Sequence, residues 1–130
     1  VNGDLLFKLP SKRILSFPNA KIQPSDRGVE LVYEGMNNHI HKWGQIKAYG
    51  GSLVQSITQA VARDVLAEAV LRLERADYPV VLHVHDEIIG DVPNDHGSLA
   101  EFEALMCELP TWANGLPVTA EGYESKRYRK

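Results

Sequence analysis

Two adjacent carboxylates, Asp86 and Glu87, stand between two runs rich in β-branched residues, at 80–85 and 88–92. Two such runs separated by two residues predict a β-hairpin with the acids at its tip. Glu is a poor residue for such a turn, and adjacent carboxylates repel each other, so the pair breaks a local rule. Hard divalent cations prefer carboxylate oxygens, which makes the tip a candidate metal site. The alternative is a solvated turn that merely carries two charges.

Histidines near these acids allow a different metal hypothesis. His83 and His85 are two residues apart, so a strand would place both side chains on one face of the hairpin. With Asp86, and with His39 and His41 added, they could form a zinc site. The alternative is that these histidines are ordinary half-buried residues, because zinc binding requires side chains that converge in space.

A long helical pattern upstream of the hairpin has a polar flank that could contact nucleic acid. Gln55, Gln59 and Arg63 are four residues apart and share this flank. Amides and a guanidinium in a row can reach the hydrogen-bond acceptors along a DNA minor groove. The alternative is a solvated helix face, with Gln55 taking part in the helix cap.

Two helices are predicted around the hairpin. The capping box Ser52-x-x-Gln55 predicts the start of the long helix, and Ser98-x-x-Glu101 predicts the start of a second helix that Pro110 closes. Apolar residues recur at helical spacing in both. The expected buried residues are Val54, Ile57, Val61, Val65, Ala69 and Leu73 in the first helix, and Leu99, Phe102, Leu105, Met106 and Leu109 in the second.

Short apolar runs predict further strands. Residues 5–9 and 14–17 flank a turn at 10–13, which indicates a strand, a turn and a strand. Residues 23–28 have loop composition, 29–33 predict a short strand, and 116–120 predict a last strand. Together these elements predict an α+β fold, in which helices pack against an antiparallel sheet that includes the hairpin.

The composition is that of a globular protein with only local affinity for phosphate. The 130 residues predict one domain over 1–130, and 44% are apolar and 24% charged. A formal net charge of −3 excludes a surface that attracts nucleic acid everywhere. A single cysteine, Cys107, excludes an internal disulfide framework and a Cys-based zinc site, and it suits a reducing cytoplasm. No apolar stretch is long enough to span a membrane, so no membrane partner is expected, and the start at Val1 suggests a fragment.

The motif His85-Asp86-Glu87, between its two apolar runs, resembles the third polymerase signature (motif C) of family A DNA polymerases, the polymerase I type. Residues 59–64 resemble the helix of that family that lies along the minor groove of the primer–template. Residues 9–11, 49–53 and the basic tail 126–130 are similar to the phage and prophage branch of the family. The resemblance covers essentially the whole chain and identifies it as the C-terminal part of a polymerase palm.

This resemblance implies a two-metal mechanism, in which Mg²⁺ ions activate the primer 3′-hydroxyl and stabilise the leaving pyrophosphate. It implies that Asp86 binds metal, that Glu87 is its less critical catalytic neighbour, and that His85 approaches the primer terminus. It also implies that Gln59 contacts the minor groove of primer–template DNA, with Gln55 in the place of a second such residue.

The family also needs an aspartate from an earlier motif and a fingers helix that binds the incoming deoxynucleoside triphosphate. Neither is among these residues, and Lys12 replaces the glycine expected after Leu-Pro-Ser. We therefore predict a palm segment, inactive when isolated, that works with the remainder of a polymerase chain in the cytoplasm of a bacterial or phage-infected cell. The alternatives are a non-enzymatic DNA-binding remnant of a decayed prophage polymerase and, more distantly, a metal-dependent hydrolase built on the histidines.

Overall fold

The computed structural model describes residues 3–26, 28–37 and 40–128, and within these ranges the chain forms seven strands, two α-helices and one short 3-10 helix. The strands are β1 (Leu5–Lys8), β2 (Ile14–Phe17), β3 (Lys21–Ser25), β4 (Gly28–Asn37), β5 (Lys42–Ala48), β6 (Val80–Val84) and β7 (Glu87–Gly90). The helices are α1 (Gly50–Arg75), α2 (Leu99–Cys107) and the 3-10 helix Thr111–Ala113. Every strand pair is antiparallel, which confirms the predicted α+β class.

The chain divides into two compact units, Val1–Val61 and Ala62–Lys130, and the boundary falls inside α1. The prediction of one domain over 1–130 stays a prediction. None of the described helices is long and apolar enough to cross a membrane.

The first unit contains the hairpin β1–β2 and the three-stranded sheet β3–β4–β5. Phe17 of β2 packs edge-on against Phe7 and Tyr33, with ring centroids 5.8 and 4.9 Å apart, so aromatic contacts join the hairpin to the sheet. The side chain of Arg13 donates to the carbonyl of Ala60 in α1 at 2.9 Å. The buried apolar residues of this unit are Leu9, Phe17, Val32, Ala48 and Ala60.

The turn between β1 and β2 confirms the predicted strand, turn and strand. It also shows the consequence of having Lys12 where a glycine was expected. Lys12 has a φ of 71°, and its N–H donates to the carbonyl of Leu9 at 2.8 Å. A residue other than glycine costs about 1–2 kcal/mol in this region of φ. Lys12 therefore raises the cost of a turn whose shape suits glycine.

One prediction for the first unit is wrong. Residues Gln23, Pro24 and Ser25 were expected in a loop but belong to β3. β3 is an edge strand, where the missing N–H of Pro24 is tolerated. The strand predicted at 29–33 is confirmed and is longer, since β4 covers Gly28–Asn37. Strand β5 was not predicted. Its less exposed residues are Gly44, Ile46 and Ala48, and two of these are small, so the alternation of apolar residues is weak.

Glu30 joins the three strands of this sheet through hydrogen bonds. Its Oε1 accepts from Gln23 Nε2 on β3 at 2.8 Å and lies 3.0 Å from Lys47 Nζ on β5. The hydrogen bond from Gln23, followed by that from Lys47, lowers the pKa of Glu30 below its ordinary value. The carboxylate is therefore ionised at neutral pH.

Helix α1 begins three residues before the predicted start, because its N-cap is Tyr49 and not Ser52. Leu53 N donates to Tyr49 O at 3.1 Å, which makes Tyr49 the residue before the first helical turn. Ser52 is then the third helical residue, and its Oγ accepts from Tyr49 N at 3.1 Å. Ser52 was expected to be the N-cap, but it is the third helical residue, and its side chain reaches back to the N-cap residue Tyr49, as the residue at this position of a capping box does. Gln55 therefore lies outside the cap.

The apolar stripe of α1 is buried towards its C-terminal end. Val65, Ala69 and Leu73 are buried, whereas Val54 is 63% exposed, so its predicted burial is wrong. An apolar stripe built from steps of three and four residues does not follow the 3.6 residues per helical turn over a long helix. Between Val54 and Leu73 the stripe rotates by about 100° around the helix axis, which turns its two ends to different sides.

The second unit is organised around Tyr78, which is 2% exposed. Its hydroxyl accepts from Ser98 N at 3.1 Å and donates to Glu101 Oε2 at 2.7 Å. Ser98 caps α2 as predicted, because its Oγ accepts from Glu101 N at 3.2 Å. Burial, and then the hydrogen bond with Glu101, raises the pKa of Tyr78. The phenol of Tyr78 thus lies between the two members of the predicted capping box.

The end of the second unit differs from its prediction. The described residues 116–120 form no strand, because Pro117 has no N–H to donate to a sheet and Val118 N instead donates locally to Leu116 O at 3.0 Å. Helix α2 ends at Cys107, three residues before Pro110. Its predicted buried face is half-buried and comprises Leu99, Phe102, Leu105, Met106 and Leu109.

Two leucines of α1 test the burial of this helix. Leu73 is 0% exposed and Leu71 is 49% exposed. We expect Leu73→Ala to lower the free energy of unfolding by about 2–5 kcal/mol, through lost apolar burial and the cavity left behind. Leu71→Ala, the matched control, should lower it by less than about 1 kcal/mol. Urea denaturation followed by circular dichroism measures both values, and equal losses would contradict the assigned burial.

Candidate active site

The hairpin β6–β7 carries the candidate site, but its turn lies one residue earlier than predicted. Val84 pairs with Glu87, so the two turn residues are His85 and Asp86. Asp86 therefore lies at the tip as expected, whereas Glu87 is the first residue of β7. The prediction of an Asp86-Glu87 turn is wrong because the strand pairing, which sets the register, includes Glu87.

His85 has a φ of 55° in the first turn position. Two-residue hairpin turns need a positive φ there, and glycine is the usual residue. Histidine is found at positive φ more often than most residues, but the conformation still costs about 1–2 kcal/mol. Strain of this kind is concentrated at functional sites. Strand β6 ends at Val84, so the alternation of side chains along the strand does not extend to His85. The prediction that His83 and His85 share one strand face is therefore wrong.

The two acids have different surroundings. Asp86 is exposed at the tip, whereas Glu87 is half-buried and its Oε2 accepts from the hydroxyl of Tyr128 at 3.3 Å. At the other end of β7, a methyl group on Gly90 would lie 3.1 Å from Phe102 Cε2 of α2. The close approach at Gly90 holds the base of the hairpin against α2, while the tip projects towards solvent.

The structure gives no support to the zinc hypothesis. In the part of the chain that the structure describes, no three His, Cys, Asp or Glu side chains form a group that could hold a metal ion. His83, His85 and Asp86 therefore do not make a zinc site with His41, and His39 lies outside the described residues. Magnesium has other requirements, since it is often bound by one or two carboxylates together with waters and substrate phosphates. The exposed carboxylate of Asp86 fits such a shared site.

Gln55, Gln59 and Arg63 lie on one continuous helix, α1, and all three are exposed. Their spacing of four residues places them along a single flank, as predicted. Gln55 and Gln59 belong to the first compact unit and Arg63 to the second. The flank is accessible to a ligand, and its contact with DNA stays a prediction.

Sequence reasoning missed Tyr128 as a neighbour of the hairpin. The residue lies in the basic tail, 41 positions after its partner Glu87. Its aromatic ring between Arg127 and Arg129 was the only signal in the sequence, and such a signal does not identify a partner.

The turn conformation can be tested by substitution at His85. We expect His85→Gly to leave the melting temperature unchanged or higher, because glycine adopts a positive φ without strain. His85→Val should lower the free energy of unfolding by about 1–3 kcal/mol, because a β-branched residue is strained there. The matched control is His83 in β6, where valine should be more stable than glycine. Thermal unfolding of the four variants measures this, and the same order at both positions would show that His85 is not the strained turn residue.

The sequence of the chain is similar to that of a phage enzyme. It is 45% identical over 131 residues to a protein named DNA polymerase from Bacillus phage SP02, and the match covers 99% of this chain and 20% of the phage protein. The chain thus spans about a fifth of the length of this relative. No protein-family model matches the chain, and no solved structure matches it. The similarity supports a role related to DNA polymerases.

Proposed function

We propose that the chain is the C-terminal palm segment of a family A DNA polymerase and contributes to template-directed nucleotidyl transfer in DNA replication. The observation that carries this proposal is the 45% identity over 99% of the chain to a phage DNA polymerase. The position of Asp86 adds support, because the motif that resembles the family's metal-binding signature lies at an exposed and strained hairpin tip.

In this proposal, each residue of the hairpin has a separate task. Asp86 offers an oxygen ligand to a magnesium ion, at a position that the two paired strands define. Bound Mg²⁺ would supply charge neutralisation and activation of the attacking hydroxyl. His85, whose backbone is held at a φ of 55°, places its imidazole next to that ligand and orients the primer terminus. Glu87, the first residue of the adjoining strand, is the less critical catalytic neighbour of Asp86.

The exposed flank of α1 supplies the proposed contact with primer–template DNA. Gln59 donates to minor-groove acceptors, which lie in similar places in every correctly paired step. Gln55 and Arg63 extend the contact by one helical turn in each direction. Minor-groove amides therefore sense pairing geometry rather than sequence.

The remaining parts of the reaction require other protein groups. One hairpin carboxylate does not hold two metal ions, and a second acidic position with a binding site for deoxynucleoside triphosphates belongs to the remainder of a polymerase chain. The proposed setting is the cytoplasm of a bacterial or phage-infected cell. The 130-residue chain alone is then inactive, and template-dependent primer extension by it would contradict the palm-segment proposal.

Substitution of Asp86 tests the catalytic proposal in a complete polymerase chain that carries this segment. We expect Asp86→Ala to lower kcat at least about a hundredfold with DNA affinity nearly unchanged, because a metal ligand acts mainly in the transition state. Glu87→Ala should have a milder effect. Asp95→Ala, which removes another exposed carboxylate of the same unit, is the control and should be normal. Single-turnover extension and DNA titration measure the two quantities.

A near-normal rate for Asp86→Ala would contradict the catalytic role of the hairpin. If DNA binding by the α1 flank persisted in that case, the non-enzymatic DNA-binding remnant would become the better description.

Gln59 tests the proposed minor-groove contact. We expect Gln59→Ala to slow extension from a matched primer end about two- to tenfold, which is the size of one hydrogen bond, and to change the ratio of matched to mismatched extension. Gln45→Ala, which removes an exposed amide on β5, should change neither quantity. Extension rates and melting temperatures are measured together. A rate loss that merely follows lower stability, or an unchanged ratio, would assign Gln59 to the scaffold.

A further inference from the structure

The described part of the C-terminal tail, residues 121–128, contains neither helix nor strand, but Gly122 and Tyr128 attach it by hydrogen bonds to other elements of the second unit. Gly122 N donates to Glu103 Oε1 of α2 at 2.6 Å, and a methyl group on Gly122 would lie 2.9 Å from Leu99 Cδ1. Six residues later, the hydroxyl of Tyr128 donates to Glu87 Oε2 at the start of β7. The tail therefore runs from α2 to the strand that follows the hairpin tip.

We propose that Tyr128 is a positioning residue, which holds the Glu87 carboxylate towards the tail and so keeps it apart from Asp86. The contact itself is independent of what the protein does, whereas its effect on catalysis rests on the function proposed above. The tail would then help to position a side chain of the candidate site.

Charge explains why such a contact matters at this place. Asp86 and Glu87 are adjacent in the chain and both carry a carboxylate, and like charges at neighbouring positions repel each other. A phenol donor stabilises the ionised Glu87 and restricts its rotamers without bringing a fixed positive charge to the tip. Lys126 and Arg127, which are exposed just before Tyr128, add positive charge on the tail side. The tail thus gives the Glu87 carboxylate a hydrogen-bond donor, while Asp86 remains available to a cation.

The geometry favours a specific contact over a random position of the tail. Tyr128 is 47% exposed, so about half of its surface is covered despite its place near the end of the chain. Glu87 is half-buried, whereas Asp86 is exposed, so the tail meets the acid in the strand and not the acid at the tip. A tail attracted only by charge would not distinguish the two carboxylates in this way.

Limited proteolysis of the 130-residue chain tests the contact without reference to catalysis. Trypsin cleaves after Lys126 and Arg127, and intact-mass spectrometry follows the loss of the end of the tail. Cleavage requires release of the tail, so its rate follows the population of the open form. We expect Tyr128→Phe and Glu87→Ala each to accelerate this cleavage about two- to tenfold, as loss of one hydrogen bond would.

Three comparisons make the test specific. Glu87→Ala leaves the protease site unchanged in sequence, and Asp86→Ala removes the other acid and should not accelerate cleavage. Glu87→Gln keeps an oxygen acceptor and should remain close to the wild-type rate. The double variant Glu87→Ala/Tyr128→Phe should be cleaved no faster than the faster single variant, because both changes remove the same contact. Equal acceleration by Asp86→Ala, or additive effects in the double variant, would overturn the contact.

The catalytic part of the proposal is tested in a complete polymerase chain that carries this segment. We expect Tyr128→Phe to lower kcat for primer extension about two- to tenfold with primer–template affinity unchanged, and to have no further effect when Glu87 is already alanine. Accelerated tail cleavage with an unchanged kcat would overturn the positioning role. Normal extension by Asp86→Ala would instead overturn the proposed function, and the proteolysis result would still decide the contact.

Discussion

The second unit depends on the contacts of one buried residue, Tyr78. Its backbone N–H donates to Leu73 O at the end of α1, and its hydroxyl joins Ser98 and Glu101 at the start of α2. Its ring packs edge-on against His96 and Phe102, with centroids 4.9 and 5.3 Å apart. A buried hydroxyl without partners would be costly, but this hydroxyl is bonded on both sides at the start of α2. Tyr78 therefore contacts α2 through its hydroxyl and the end of α1 through its backbone N–H.

This arrangement supports a hairpin that would be marginal by itself. A two-stranded hairpin has little independent stability, and this one contains a strained residue, His85, and an irregular register at Val81. Its base is tied on both strands, since Val80 N donates to Glu74 Oε1 at 2.7 Å and Asp91 N donates to Pro79 O at 3.0 Å. The stability of the base permits strain at the tip, where an exposed carboxylate is useful to a ligand.

The charge of the chain limits the proposed contact with nucleic acid to a small area. A formal net charge of −3 gives no general attraction for phosphate. Among the exposed cations, Arg63 lies on the polar flank of α1, and Lys126 and Arg127 precede the tail contact. The chain spans about a fifth of the length of its phage relative, and under the proposed function it would supply only part of a DNA-binding surface and part of a metal site.

Local pattern determined much of this protein. Both helices, the hairpin β1–β2, the N-cap Ser98 and the placement of Asp86 at a hairpin tip all follow from spacing or cap chemistry between residues close in sequence. The motif around Asp86 also indicated the resemblance to polymerases. These features need no knowledge of distant contacts.

Tertiary structure decided the features that depend on pairing or on distant partners. The sequence allowed the hairpin turn at either of two neighbouring positions, and each would give a different strand pairing. The observed register of β6–β7 pairs Glu87 with Val84 and so places Glu87 in the strand and not in the turn. The sequence did not predict strand β5, because small residues give a weak alternation of apolar and polar positions. It also did not predict Pro24 in a strand, because proline is tolerated only in an edge strand and the sequence does not show which strand is at the edge. The bond between Tyr128 and Glu87 spans 41 positions, and no local pattern reports a contact that forms only when the tail folds back on the hairpin.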